Sequence, residues 1–267
     1  MTAHGEPVLM TSIEGRTATL WLNRPEKRNA VTFTMWEELP AVLDEVAATE
    51  ARVLIVRGAG GHFCAGADIT GLGARLADGG VAGGYREVNA IAEAALRAFP
   101  RPTLAVIEGN CIGGGWQIAS ACDLRLAASS TLLGITPARL GITYPIEAIR
   151  RTVSLVGPAA TKRLLFTAEL IDADESLRLG FVDRVVDDSE LEAAADALCD
   201  ELAGRSLLTQ LATKAVVDAL IDDGGDAIDE IVHRYDLLSR DSGDLHEGLA
   251  AFGEKRSPQF SWTPERS

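Results

Sequence analysis

The sequence predicts an α/β fold: a core of repeated ββα or βαβ units followed by a run of helices. Three observations carry this. A short, wholly apolar run at 53–56 and the Thr-led apolar run at 103–107 have the composition of strands buried on both faces. Each is followed by a Gly-rich loop, at 58–68 and 109–115, and segments with apolar residues at three-and-four spacing alternate with them. Beyond about residue 133 the strands thin out and helical periodicity takes over.

In chain order, 8–13 and 17–22 flank the turn Glu14-Gly15-Arg16 and read as a hairpin. A polar, Pro-broken loop over 23–29 follows. Thr32 or Thr34 can cap a helix that carries Met35, Leu39, Val42, Leu43 and Val46. After the strand at 53–56 and its loop, the glycines of 71–84 mark a surface loop and 85–99 a helix, stopped by Pro100-Arg101-Pro102. Strand 103–107, the Gly-rich turn 109–115, helix 116–121 and strand 123–128 complete the alternation. Helices are then expected at 145–156, 158–166, 174–180, 191–203, 207–221, 227–239 and 245–255, with one short strand at 181–186. A core over 1–192 and a helical region over 193–267 is the expected division.

Composition narrows the function. With 267 residues, 25 basic and 39 acidic side chains, the net charge is −14. Nucleic-acid binding needs clustered Lys and Arg, so this charge excludes it. It is also awkward for a polyanionic ligand, until its distribution is read. Residues 187–230 hold 13 acids against two bases, whereas Arg24, Lys27 and Arg28 cluster in one N-terminal loop. Cys64, Cys111, Cys122 and Cys199 show no CxxC pairing and the four histidines no HxxxH spacing, so neither a disulfide framework nor a metal site is expected. No secretory signal or membrane-length apolar run is visible, and a cytoplasmic protein without membrane partners is the expectation.

The chemistry is expected in the two Gly-rich loops, where backbone N–H groups most often face a ligand. The first reads Gly58-x-Gly60-x-x-Phe63; without the third glycine it is not a dinucleotide fingerprint, which disfavours an NAD-dependent oxidoreductase. The second, Gly113-Gly114-Gly115-Trp116-Gln117, opens a helix directly. Its glycines serve either close helix packing or bare N–H groups that face a developing oxyanion.

Four segments together carry a resemblance: Leu22-Asn23-Arg24-Pro25-Glu26-Lys27-Arg28-Asn29-Ala30, Phe63-Cys64-Ala65-Gly66-Ala67-Asp68-Ile69, Gly109-Asn110-Cys111-Ile112-Gly113-Gly114-Gly115-Trp116-Gln117 and Cys122-Asp123-Leu124-Arg125. In this order, with Leu140-Gly141-Ile142, Leu179-Gly180-Phe181-Val182 and the tail 247–256, they resemble the crotonase (enoyl-CoA hydratase/isomerase) superfamily over essentially the whole chain. The resemblance implies a spiral of ββα turns with a C-terminal helical region, assembled as a homotrimer or a dimer of trimers. It implies an acyl-CoA substrate, with coenzyme A as part of that substrate and no permanently bound cofactor. The thioester oxygen would sit between the N–H groups of Ala67 and Gly114. CoA would pass Lys27, Arg28, Ala65, Asp68 and Ile69, with Lys255 reaching in from a neighbouring subunit. The plainer roles are a solvated loop for Lys27 and Arg28 and a turn cap for Asp68.

Where the chain departs from that family matters most for the reaction. Hydratases of the family carry two glutamates, and their positions here are Gln117 and Pro137. A carboxamide has no useful acid–base pKa and proline has no side-chain donor or acceptor. Decarboxylation or isomerisation is therefore expected over hydration, and a catalytically silent acyl-CoA binder is the alternative. The run Thr136-Pro137-Ala138-Arg139-Leu140-Gly141-Ile142-Thr143-Tyr144 is similar to the methylmalonyl-CoA decarboxylase branch, although that branch has a histidine where Ala67 stands and a glutamate where Gln117 stands. Tyr144 could then hold the leaving carboxylate or protonate the enolate, or simply wall the pocket. Of the remaining candidates, Glu147 is either a replacement acid or a first-turn charge, Cys64 a small packed residue and His62 a solvent-facing side chain.

Overall fold

A computed structural model describes residues 7–68, 81–222 and 225–264, with the side chains of 81–86 and 226 left aside. Leu9–Glu14 (β1) and Thr17–Leu22 (β2) form the expected hairpin, with Glu14 opposite Thr17 and Gly15 at φ 58°, the left-handed conformation a two-residue loop requires. From β2 the sheet continues in parallel through Val53–Gly58 (β3), Thr103–Ile107 (β4), Leu124–Ala128 (β6) and Arg184–Val186 (β9). Asn110–Ile112 (β5), Leu132–Gly134 (β7) and Leu170–Asp172 (β8) build a second sheet, in the order β5-β7-β8. These three strands have three residues each, too few for an alternating pattern to show in sequence.

The apolar runs behave as their composition predicts. Leu54, Val56, Ala105, Ile107 and Ala127 point into one core with Trp36, Phe63 and Trp116. Val53, Ile55, Leu104, Val106, Leu126 and Ala128 point into a second core on the opposite face. Period-two alternation thus feeds two cores from the same strands.

Helix α1 (Phe33–Ala47) is capped by Thr32, whose hydroxyl accepts from the Met35 N–H at 3.2 Å; it buries Met35, Trp36, Leu39, Leu43 and Val46. Helix α2 (Val81–Arg97) starts earlier than its pattern suggested, and most of the Gly-rich stretch before it lies outside the described residues. Helix α3 (Gly114–Ala121) is buried at every position. The two helices expected at 145–156 and 158–166 run on as α4 (Ile146–Thr167) and part at Gly157, whose φ 77° and ψ 165° are not helical. A short α5 (Ala173–Leu179) precedes α6 (Leu191–Ala203), which packs Leu191, Ala194, Ala195, Cys199 and Ala203 on the second core. The expected boundary at 192 falls inside this helix.

Beyond α6 come α7 (Leu207–Ile221), α8 (Gly225–Asp241) and α9 (Asp244–Glu254). Polar clamps fix this tail to the core. Lys214 Nζ reaches Asp123 Oδ2 at 2.9 Å and the Phe99 carbonyl at 3.1 Å, Arg97 pairs with Asp218 and Asp222, and Arg52 donates to the Arg205 carbonyl. Among the described residues no helix is long and apolar enough to cross a membrane, and no group of three or more potential metal ligands occurs.

All four cysteines are free and buried. Burial pushes the thiols of Cys64, Cys122 and Cys199 up to about 12 and that of Cys111 well above its ordinary value. They are therefore neutral thiols at pH 8, and only a thiolate attacks a disulfide reagent. A thiol titration at pH 8 with an aromatic disulfide is expected to find no fast-reacting cysteine in the folded chain and four after denaturation.

Candidate active site

The two Gly-rich loops lie side by side. Cys64 forms a parallel bridge with Cys111 of β5: its N–H donates to the Asn110 carbonyl at 2.7 Å, and its carbonyl accepts from Ile112 at 2.9 Å. Next along the chain, Val31 bridges Ala67 in parallel, donating to the Gly66 carbonyl at 2.8 Å and accepting from Asp68 at 2.9 Å. In such a bridge the middle residue's own N–H points away from the partner strand. Gly114 is the first residue of α3, where helix geometry leaves N–H groups without an intrahelical acceptor. Among the described residues neither the Ala67 nor the Gly114 N–H donates to a backbone carbonyl outside the regular elements. The two sites are close: a Cβ built on Gly114 would lie 3.6 Å from the carbonyl carbon of Gly66, the atom bonded to the Ala67 nitrogen.

The three glycines answer three different needs. Gly113 has φ 54°, which turns the chain from β5 into α3. A Cβ on Gly115 would come within 2.7 Å of the Cys64 carbonyl oxygen and 2.9 Å of its Cβ, so this glycine serves close packing. Gly114 has neither constraint: its Cβ would meet only ordinary contacts.

A third loop locks the first in place. Asn29 is fully buried with φ 58°, and its Nδ2 donates to the carbonyls of Ala59 (2.8 Å) and His62 (2.5 Å) while its Oδ1 accepts from the Arg24 N–H (2.8 Å). Arg24 in turn donates to the Ala30 carbonyl and pairs with Asp68 at 2.9 Å. Asp68 thus ties two loops together, a contact that the turn-cap reading did not include. Ala65 donates to the Arg28 carbonyl at 2.9 Å, which brings the exposed Lys27 and Arg28 beside it. His62 is not simply solvent-facing: its Nδ1 accepts from the Asn110 N–H at 3.2 Å. Ile69 lies outside the described residues, and Lys255 is exposed at the C-terminus of α9 with φ 54°.

One side chain bonds the Gly113–Gly114 peptide. The Tyr144 hydroxyl donates to the Gly113 carbonyl oxygen at 2.9 Å, so it bonds the same peptide group whose N–H belongs to Gly114. The opposite neighbour of that peptide, the Gly113 N–H, donates to Gly134 at 2.9 Å. Gln117 is buried, and its carboxamide faces α2: Nε2 donates to Glu93 Oε1 at 2.9 Å and Oε1 accepts from Asn89 Nδ2 at 3.3 Å. Glu93 also meets the Arg151 guanidinium of α4 in a buried ion pair. Sequence reasoning missed Asn89, Glu93 and Arg151. The available signal was polar residues on buried helical stripes, with Asn89 and Glu93 alternating with Ala92 and Leu96, and Arg151 lying between Ala148 and Thr152. Pro137 opens a short turn of helix, and Glu147 pairs with Arg150 at 3.5 Å across one helical turn, the position of a first-turn charge. A cavity of about 800 Å³ lies behind α3, lined among others by Ser120, Arg151, Leu155 and Lys214; Ala67, Gly114, Gln117 and Tyr144 do not line it.

The family model for enoyl-CoA hydratase/isomerase matches residues 12–263. The chain belongs to the enoyl-CoA hydratase/isomerase family. It is 33% identical over 258 residues to the crotonyl-CoA hydratase of Syntrophomonas wolfei, covering 92% of this chain and 95% of that protein. Among solved structures it superposes with a TM-score of 0.90 on an enoyl-CoA hydratase/carnithine racemase from Magnetospirillum magneticum (34% identity, 96% of each chain). An enoyl-CoA hydratase from Bacillus anthracis gives a TM-score of 0.86 at 27% identity, covering 95% of this chain and 99% of that one. Membership brings lyase or isomerase chemistry on acyl-CoA substrates, and the strand–helix spiral with its helical tail is the crotonase fold.

The loop clamp gives a test. Asn29→Ala leaves two carbonyls and one N–H without their partner, and a buried unpaired polar group costs about 1–3 kcal/mol. The expected loss is about 3 kcal/mol, read as a fall in Tm on the order of 10 °C for a chain of this size. A Tm within about 2 °C of wild type would contradict the clamp.

Proposed function

We propose that this member of the family holds the carbonyl oxygen of an acyl-CoA thioester between the N–H groups of Ala67 and Gly114, and reacts through the enolate so stabilised. What supports the reading above all is that, among the described residues, two N–H groups that donate to no backbone carbonyl outside the regular elements stand on adjoining loops, which the Cys64–Cys111 bridge joins, while the Val31–Ala67 bridge ties the first of them to the segment before α1. One such donor is typically worth about 10²–10³ in rate. Lys27, Arg28, Ala65 and Asp68 edge the same loops, and with Ile69 and Lys255 they are the proposed surroundings of CoA.

With Gln117 and Pro137 at the usual glutamate positions, the enolate is proposed to arise without a carboxylate base there. Decarboxylation meets that condition. The bond between the α-carbon and a carboxylate breaks, its electron pair enters the thioester carbonyl, CO₂ leaves, and the enolate then takes a proton from water at the α-carbon, which leaves hydroxide to solvent. Tyr144 contributes through the Gly113 carbonyl: a hydrogen bond to one end of a peptide strengthens the N–H at the other. A second reading, a silent acyl-CoA binder, is favoured by one observation. Each polar atom of Gln117 and the Tyr144 hydroxyl already has one partner within the protein.

Turnover assays separate the readings. Release of CO₂ is expected from a malonyl- or methylmalonyl-CoA panel. Hydration of crotonyl-CoA is expected to be slower than in an enzyme with both glutamates by about 10²-fold or more, the usual contribution of general acid–base catalysis. Hydration at about 10 s⁻¹, the median for enzymes, would contradict the reading. Tight binding of acyl-CoA without turnover across the panel would leave the silent binder.

Assembly as a trimer or a dimer of trimers is proposed on the face of α9. Leu245, Leu249 and Phe252, at i, i+4 and i+7, are 64%, 66% and 87% exposed. Light scattering behind size exclusion is expected to give three or six times the 28.3 kDa chain mass. Phe252→Asp is expected to shift that mass toward the single chain, and an unchanged mass would contradict this assignment.

A further inference from the structure

Position 117 carries no carboxylate, but its surroundings do. Glu93 is 2% exposed on α2, and its Oε1 accepts from Gln117 Nε2 at 2.9 Å. Its Oε2 faces the Arg151 guanidinium in a buried ion pair. Asn89, one helical turn earlier on the same face, donates Nδ2 to Gln117 Oε1 at 3.3 Å. An ionised carboxylate only accepts hydrogen bonds, so whatever faces Glu93 Oε1 must donate. A carboxamide does. A second carboxylate there would set two negative groups at hydrogen-bond distance in a buried place, and one of them would have to take up a proton. Glu93 also removes the amide's two-fold ambiguity: Nε2 must face Glu93, and Oε1 therefore faces Asn89. One N–H and one lone pair of Gln117 are left over for the acyl group or a water.

We propose that Glu93 is a positioning residue of the thioester site: through its bond to Nε2 it fixes the orientation of the Gln117 carboxamide and imposes a neutral hydrogen-bond donor, in place of a carboxylate, at position 117. The proposal rests on the reading that Gln117 borders the acyl group. It places the site's buried negative charge on α2 instead of on α3. It also makes positions 93 and 117 a coupled pair, in which one member accepts and the other donates.

Exchanging the two side chains tests this. Wild type, Gln117→Glu, Glu93→Gln and the double variant carrying both are compared by thermal midpoint, by calorimetric affinity for butyryl-CoA, and by exchange of the butyryl α-hydrogens with D₂O. Gln117→Glu is expected to lower Tm through the paired carboxylates, and Glu93→Gln through the unpaired Arg151. The double variant, with the same net charge as wild type and a single carboxylate between the two positions, is expected to lose less Tm than the two single losses together, because the carboxylate pair is gone. Should a single variant fail to fold, recovery of a folded double variant is the same rescue. The double variant, with a carboxylate at 117 and a donor facing it, is expected to exchange α-hydrogens about 10²-fold faster than wild type, the low end of what a placed base contributes. Additive Tm losses would overturn the proposal. So would rescue of Tm with unchanged exchange in every variant while butyryl-CoA still binds, which would make the pair a packing contact. A wild-type chain that fails to bind butyryl-CoA would overturn the site reading itself, and this proposal with it.

Discussion

The peptide between Gly113 and Gly114 is the point on which the site depends. Its carbonyl accepts from Tyr144 and from the Gln117 N–H, and the preceding N–H is held by Gly134, so the plane of the peptide has little freedom to turn. The φ of 54° at Gly113 is what lets β5 end and α3 begin there. A donor aimed in advance costs no reorganisation when charge develops in front of it, and that is the physical basis of oxyanion stabilisation. The second proposed donor, at Ala67, is held by a different device. It is the middle residue of a parallel bridge, with its flanking peptides bonded to Val31.

These two devices need a common frame, which buried polar groups supply. Asn29 replaces a strand partner for the loop at 59–62, and the Arg24–Asp68 pair closes the loop at its other end. Buried, fully satisfied polar groups of this kind specify a unique geometry more than they add stability. Behind α3 Asn89 and Glu93, the latter beside Arg151, hold the Gln117 side chain in one orientation.

Much of this was legible in the sequence. The strands at 53–56 and 103–107 were, because a strand buried on both faces is written almost wholly in apolar residues. The kink at Gly157 was, because Gly-Pro punctuates a helix. The loops that carry the Ala67 and Gly114 amides were visible as motifs. The second sheet was not, since strands of three residues carry no period and are held by register with neighbours distant in sequence. The structural partners of Asp68 and His62 could not be seen because they, Arg24 and the Asn110 N–H, lie 44 and 48 residues away. Asn89 and Glu93 left a trace, as polar residues on a buried helical stripe, but only the folded chain says that they face Gln117.

The central claim, that the Gly114 N–H receives the thioester oxygen and that Tyr144 strengthens it through the shared peptide, is tested most directly by vibrational difference spectroscopy. The probe is butyryl-CoA labelled with ¹³C at the thioester carbonyl, bound to wild type and to Tyr144→Phe. The carbonyl stretch is expected to fall to lower frequency on binding to wild type, and Tyr144→Phe is expected to return part of that fall while butyryl-CoA affinity changes little. A stretch unchanged between free and wild-type-bound butyryl-CoA would contradict the claim.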